Sequence, residues 1–191
     1  MKKTVLVFGL ISGALMSAMM LATVPLADRI GFDKGVVVGY TTMVLSFLLV
    51  FFGVKSYREN VGGGAITFGR ALAVGLLIAL VSCVCYVVTW EIVYFKLMPD
   101  FVNKYAAYVV EKARASGASE QAIQAQIKQM RQFKAMYDNP LINAAFTFLE
   151  PLPIALIFAL LSAAILRRKR RDSQESPNDD SVALPTQRVV M

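Results

Sequence analysis

A chain of 191 residues, 57% of them hydrophobic, is long enough for one domain and too apolar for an ordinary water-soluble one. Its net charge of +7 comes from lysines and arginines gathered beside apolar runs, which points to membrane orientation and away from nucleic acid. Histidine is absent, which removes the commonest metal ligand and the side chain that titrates nearest neutrality, and no cofactor motif is present.

A helix needs roughly 20 apolar residues to cross about 30 Å of hydrocarbon. Four segments qualify, at about residues 5–27, 35–54, 68–94 and 141–166. The first follows "MKK" but is longer than the roughly 7–15 residues of a signal-peptide core, and "TVPLAD" is a poor cleavage site, so a retained helix is expected. Along it Gly9, Gly13 and Ser17, and also Ala14, Ala18 and Ala22, recur every four residues. Such ridges let backbones approach closely, within one bundle or between two copies.

After the second segment comes "FFGVKSYRENVGGGAITFGRA". Gly62, Gly63 and Gly64 are not a Walker loop, because the GK[ST] ending and the preceding strand are missing. Two readings stand: a flexible turn with Thr67 capping the third helix, or a headgroup-binding loop with Arg58 and Arg70 beside free amides. The third segment repeats small residues at Ala71, Gly75, Ala79 and Cys83. Cys83 and Cys85, two apart on a helix, point to different faces and are expected as free thiols. Glu91 falls beside Trp90 at the expected interface.

Residues 99–138 read as an amphipathic helical hairpin between the third and fourth spans. Phe101, Tyr105, Tyr108 and Lys112 share one helical spacing, and Ile123, Ile127, Met130, Phe133 and Tyr137 another. Gly117 suits a left-handed helix end and Ser119 a cap for the next helix. The hairpin has two candidate seats, the outer mouth of the bundle and the membrane surface. Its aromatic stripe reads as packing, with a ligand grip as the alternative.

The fourth segment repeats Ala155, Ala159 and Ala163, and it contains Glu150, Pro151 and Pro153. Neither proline can donate a backbone hydrogen bond, so a kink or a wet cavity is expected there. Glu150 lies 16 residues before Leu166, about 24 Å of helix, hence below the outer boundary of the hydrocarbon. Ionisable groups at such depth are candidate functional sites. The sharp reading makes Glu150 a proton or cation acceptor, with Glu91 as a second carboxylate. The plain reading makes it a structural acid paired with Arg29, Lys34 or a hydroxyl, at a helix start that favours negative charge.

Lys2 and Lys3, then Lys55, Arg58 and Arg70, then the run Arg167–Arg171 all fall on one side of four spans. The positive-inside rule therefore places both termini in the cytoplasm. The run is a stop-transfer anchor in one reading and a lipid-headgroup contact in the other. Residues 172–191 lack an apolar period and are expected to be a disordered cytoplasmic tail.

The glycine-rich stretch "FFGVKSYRENVGGGAITFGRA", with "MPDFVNKYAAY", "KARASGAS", "MYDNPLINAAFTFLEPLPIAL" and the basic end, resembles the domain of unknown function 4199 family over about residues 2–171. The resemblance implies a four-helix protein of the bacterial inner membrane. It carries no activity and no catalytic residue.

The expectation is an all-α membrane protein of four transmembrane helices plus the hairpin. Its partners would be the lipid bilayer and either another membrane protein or further copies of itself. A non-catalytic accessory or interaction role leads. The alternative is a proton- or cation-coupled transporter or channel component using Glu150. No cofactor, metal or enzyme activity is expected, since no nucleophile elbow, metal-ligand cluster or spaced catalytic carboxylate pair occurs.

Overall fold

Nothing in the sequence interrupts a helix between Lys3 and Thr23: no charge and no proline occurs there. In the computed structural model, which describes residues 1–168, this stretch forms α1, Lys2–Thr23. Pro25 then sits in a 3₁₀ turn, Val24–Leu26, and α2 follows as Ala27–Asn60. Gly31 takes a φ of 72° inside α2, a left-handed conformation that breaks the helical path. Lys2–Asn60, interrupted only at the 3₁₀ turn and at Gly31, would be about 88 Å long if straight. It is folded back: Ser12 Oγ of α1 donates to the Ser46 carbonyl of α2 at 2.9 Å.

The next helix, α3, covers Phe68–Ile92 and continues through a π-helical turn, Val93–Leu97. Thr67 occupies its N-cap position, but the Thr67 side chain makes no capping hydrogen bond. Phe101–Ala115 (α4) and Glu120–Tyr137 (α5) pack against each other. Gly117 ends α4 with a φ of 76°, and Ser119 Oγ caps α5 by accepting from the Ala122 amide. The fourth predicted segment is two helices, α6 (Pro140–Leu149) and α7 (Leu152–Leu166). The interruption follows from Pro151 and Pro153, which remove successive helix donors. Glu150 and Pro151 keep right-handed helical dihedrals, so the axis is broken in hydrogen bonding more than in direction.

Three helical units, Lys2–Asn60, Phe68–Leu97 and Pro140–Leu166, are long and apolar enough to cross a membrane. Contacts fix their directions. Ser82 Oγ of α3 donates to the Gly9 carbonyl at 3.2 Å, and Thr89 Oγ1 donates to Ser17 Oγ at 2.7 Å, so α1 and α3 run parallel. Gly75 faces Ala159, and Ile66 pairs with Arg168, so α7 runs antiparallel to α3.

The interior is built from small and hydroxylated side chains. Ser12, Ser46, Ala71, Ala79, Ser82, Ala159 and Ala163 are buried beside Phe47, Val50 and Ile78. The large aliphatics point outward, with Leu10 52% and Ile165 65% exposed. This arrangement suits lipid, where burial does not reward leucine and close backbone packing does. A Cβ added at Gly13 would lie 2.6 Å from Cys85 Cβ, and one at Gly9 would lie 2.7 Å from Val81 Cβ.

Gly13→Val is therefore expected to cost about 1–3 kcal/mol by overpacking α1 against α3. Gly39→Ala, whose added methyl meets nothing within 4 Å, should be neutral or mildly stabilising. Thermal unfolding of the detergent-solubilised protein, followed by circular dichroism, separates the two outcomes.

Candidate functional site

Residues spaced by three or four share a helix face. On α6 that rule aligns Asn143, Thr147 and Glu150, three polar side chains in an otherwise apolar segment. On α3 it aligns Tyr86, Trp90 and Tyr94. The two faces meet at the end of the bundle opposite Arg168.

Tyr86 Oη donates to Glu150 Oε2 at 3.0 Å. One α3 turn further, Trp90 Nε1 donates to Tyr137 Oη at 3.0 Å. Thr147 Oγ1 lies 3.5 Å from the same hydroxyl and donates to Asn143 Oδ1 at 3.2 Å. Asn143 Nδ2 in turn donates to the Tyr137 carbonyl at 3.2 Å. Another turn on, Tyr94 Oη donates to Asp138 Oδ1 at 2.6 Å, and Lys134 Nζ donates to Asp138 Oδ2 at 2.6 Å. Asn139 caps α6 through its side-chain oxygen, with Pro140 following in the first turn, which fixes where α6 starts relative to Tyr137. The result is a polar seam clamping α5 and α6 to α3.

The seam is walled by rings. Trp90 stands edge-on to Phe101 of α4 with centroids 5.0 Å apart, and Tyr137 stacks on Phe133 at 5.0 Å. The α4 stripe is filled from α2: Phe32 meets Phe101, Tyr105 and Tyr108 at 5.8, 5.3 and 5.1 Å. Lys104 pairs with Asp28 at 2.8 Å and Lys112 with Asp33 at 3.1 Å.

Of the residues singled out from sequence, Glu150 sits at the seam's deep end and is partnered by a hydroxyl, that of Tyr86. Pro151 is buried and Pro153 exposed on the following turn. Glu91 makes no hydrogen bond to Glu150, and its buried Oε1 has no hydrogen-bond partner among the described residues. Tyr137 is where the two acids converge. Its hydroxyl is pushed up chiefly by burial, opposed by the Thr147 and Trp90 hydrogen bonds, and raised further by the charges of Glu150 and Glu91. Sequence reasoning passed over Tyr86, Tyr94, Asp138, Asn143 and Thr147. The polar spacing within "LINAAFTFLE" was the available signal for the last two.

The glycine loop lies at the opposite end. Gly63 and Gly64 have positive φ, and a Cβ on Gly62 would collide with the Ala65 carbonyl. The amides of Val61, Gly62, Gly64, Ala65 and Ile66 are bonded to carbonyls of the chain itself. Arg58 pairs with its neighbour Glu59 at 3.1 Å, its Nε lacks a partner among the described residues, and Arg70 is exposed. Arg167 and Arg168 fall within the described residues; the rest of the basic run and the tail lie outside them. A cavity of about 360 Å³ lies between α4 and α5, lined by Val102, Ala106, Val110, Ile127, Met130 and Arg131 among others. Another of about 210 Å³ lies at the start of α4, so neither adjoins Glu150.

Asp138 is held below the ordinary carboxylate value of 3.8, first by the Lys134 hydrogen bond and then by that of Tyr94. A carboxylate lowered on folding contributes stability that is complete above its unfolded pKa and lost as pH falls through the folded one. The sole tryptophan, Trp90, reports on the seam. Its emission is expected to change as pH falls below the ordinary carboxylate value, and Asp138→Asn should remove most of that step. Tyr137→Phe should cost about 0.5–1.5 kcal/mol and shift Trp90 emission to the blue, because the indole N–H loses its acceptor.

A protein-family model described as Protein of unknown function (DUF4199) matches residues 7–168. Neither the curated proteins nor the solved structures include a match.

Proposed function

The chain belongs to the family of proteins of unknown function DUF4199, and from that premise we propose that it is a non-catalytic accessory or interaction protein of the bacterial inner membrane. In this reading it crosses the bilayer four times, with both termini in the cytoplasm and the α4–α5 hairpin on the outer side. The folded-back pair α1–α2 supplies two crossings, α3 one, and the interrupted α6–α7 one. Lys55, Arg58, Arg70, Arg167 and Arg168 then share the cytoplasmic side with the amino terminus, in keeping with the positive-inside rule.

One observation carries the choice of role. The centre of the bundle is filled by Phe47, Val50, Val74, Ile78 and Ala159, each 0% exposed, with only the small hydroxyls of Ser12, Ser46, Ser82 and Ser162 among them, whereas Glu150 is an exposed residue held by Tyr86. A transport pathway needs polar groups lining its interior. A recognition site needs them where another molecule can reach. The alternative, a proton- or cation-coupled transporter or channel component using Glu150, would require a route around that packed centre. A partner membrane protein or a further copy of the chain can reach the exposed residue without one.

The protein reconstituted in proteoliposomes should pass protons or monovalent cations no faster than empty vesicles, and Glu150→Gln should change nothing. A flux that the wild type supports and Glu150→Gln abolishes would establish the transporter reading instead.

A further inference from the structure

Glu150 is an exposed carboxylate on a surface that is otherwise hydrocarbon. Phe146, Leu149 and Ile157 are 48%, 59% and 54% exposed, and with Pro153 they run along one helical stripe on either side of it. A carboxylate can accept about four hydrogen bonds. Among the described residues Glu150 accepts one, from Tyr86. Three lysines at this end of the bundle are engaged elsewhere, Lys104 with Asp28, Lys112 with Asp33 and Lys134 with Asp138, and among the described residues none of Arg29, Lys34 and Lys96 pairs with Glu150. No three His, Cys, Asp or Glu side chains converge anywhere among the described residues, so a metal ion has no ligand set here.

We propose that the Phe146–Ile157 stripe is a docking face for the transmembrane helix of another protein, and that a lysine or arginine of that helix pairs with Glu150. This rests on the membrane-spanning reading above. The complementarity is of two kinds. The stripe is apolar and carries no lysine or arginine, so a neighbouring helix can lie along it. The acid, which has no cation partner among the described residues, selects a helix carrying a cation at matching depth. Glu150 is about 24 Å of helix from Leu166 in a core about 30 Å thick, which puts it inside the headgroup level. A lysine stem can reach such a site from within the apolar zone. The Tyr86 hydroxyl holds one oxygen of the carboxylate, Oε2, at 3.0 Å.

The test uses the full chain in phosphatidylcholine vesicles and two synthetic polyleucine transmembrane peptides. One carries a single lysine at the depth of Glu150 and the other leucine at that position. Fluorescence energy transfer between labelled protein and peptide reads association. The lysine peptide should bind wild type at least tenfold more tightly than it binds Glu150→Gln, and Glu150→Asp should retain most of the preference. The leucine peptide should not distinguish the variants. Circular dichroism and Trp90 emission check that each variant is folded. Equal binding of both peptides to wild type and Glu150→Gln, with the protein floating with the vesicles, overturns this inference alone. Failure of the protein to float with the vesicles overturns the membrane reading as well. Energy transfer between protein copies that disappears in Glu150→Gln would make the occupant a second copy of this chain and overturn the heterologous partner.

Discussion

The bundle depends on how near its helix backbones come to one another. Gly9 and Gly13 let α1 lie directly on Val81 and Cys85 of α3, and Gly75 lets α3 lie on Ala159 of α7. At that separation serine and threonine hydroxyls reach carbonyls across the interfaces, as Ser12 does to Ser46 and Ser82 to Gly9. Each such bond is worth on the order of 0.6 kcal/mol in a membrane bundle, so packing carries the larger share and the hydroxyls set register. The same close approach leaves little room for leucine inside. Apart from Leu166 at the bundle's end, no leucine is in the buried core, and the molecule acquires a surface that hydrocarbon tolerates better than water does.

From that exchange comes a division of labour along the bundle. The middle is closely packed, apolar but for the buried hydroxyls of Ser12, Ser46, Ser82 and Ser162. The end near Arg168 is tied by the backbone pairing of Ile66 with Arg168 and by the self-bonded glycine loop. The other end holds most of the side-chain hydrogen bonds that link distant parts of the chain, from Tyr86–Glu150 outward to Tyr94–Asp138. The hairpin α4–α5 closes over this end, fastened by Phe32 and by the lysine–aspartate pairs. Those exposed pairs contribute little energy individually and chiefly fix where α4 lies on α2. Glu150 is the seam's innermost member, tied to α3 by the Tyr86 hydroxyl alone.

Much of this was legible in the amino-acid order. Gly9 and Gly13, Ala71 to Cys83 and Ala155 to Ala163 marked touching faces, whereas Ala14, Ala18 and Ala22, also four apart, lie on an exposed face of α1. Gly117 and Ser119 marked the turn between α4 and α5, and two prolines beside an acid marked the break at Glu150. What escaped was of two kinds. Hydropathy ended the second segment's start near Gly35, because Asp28, Arg29, Asp33 and Lys34 look like a loop. The backbone is helical on both sides of the kink at Gly31, and Asp28 and Asp33, one on each side, are the anchors for α4. The partner of Glu150 escaped because Tyr86 is 64 residues away, and only the antiparallel register of α3 and α6 brings the two together. The polar row Asn143, Thr147, Glu150 was present in the sequence, but its meaning depended on a facing row that periodicity alone does not pair with it.

The central claim is that lipid surrounds the outward-facing leucines, with the hairpin and the glycine loop on opposite sides of it. In a background with Cys83 and Cys85 replaced by alanine, a membrane-impermeant thiol reagent applied to intact cells tests this directly at Ser116→Cys and Val61→Cys. Labelling of Ser116→Cys alone, with Val61→Cys labelled only after the membrane is opened, is the predicted result. Equal labelling of both positions in intact cells, or the reverse pattern, would contradict it.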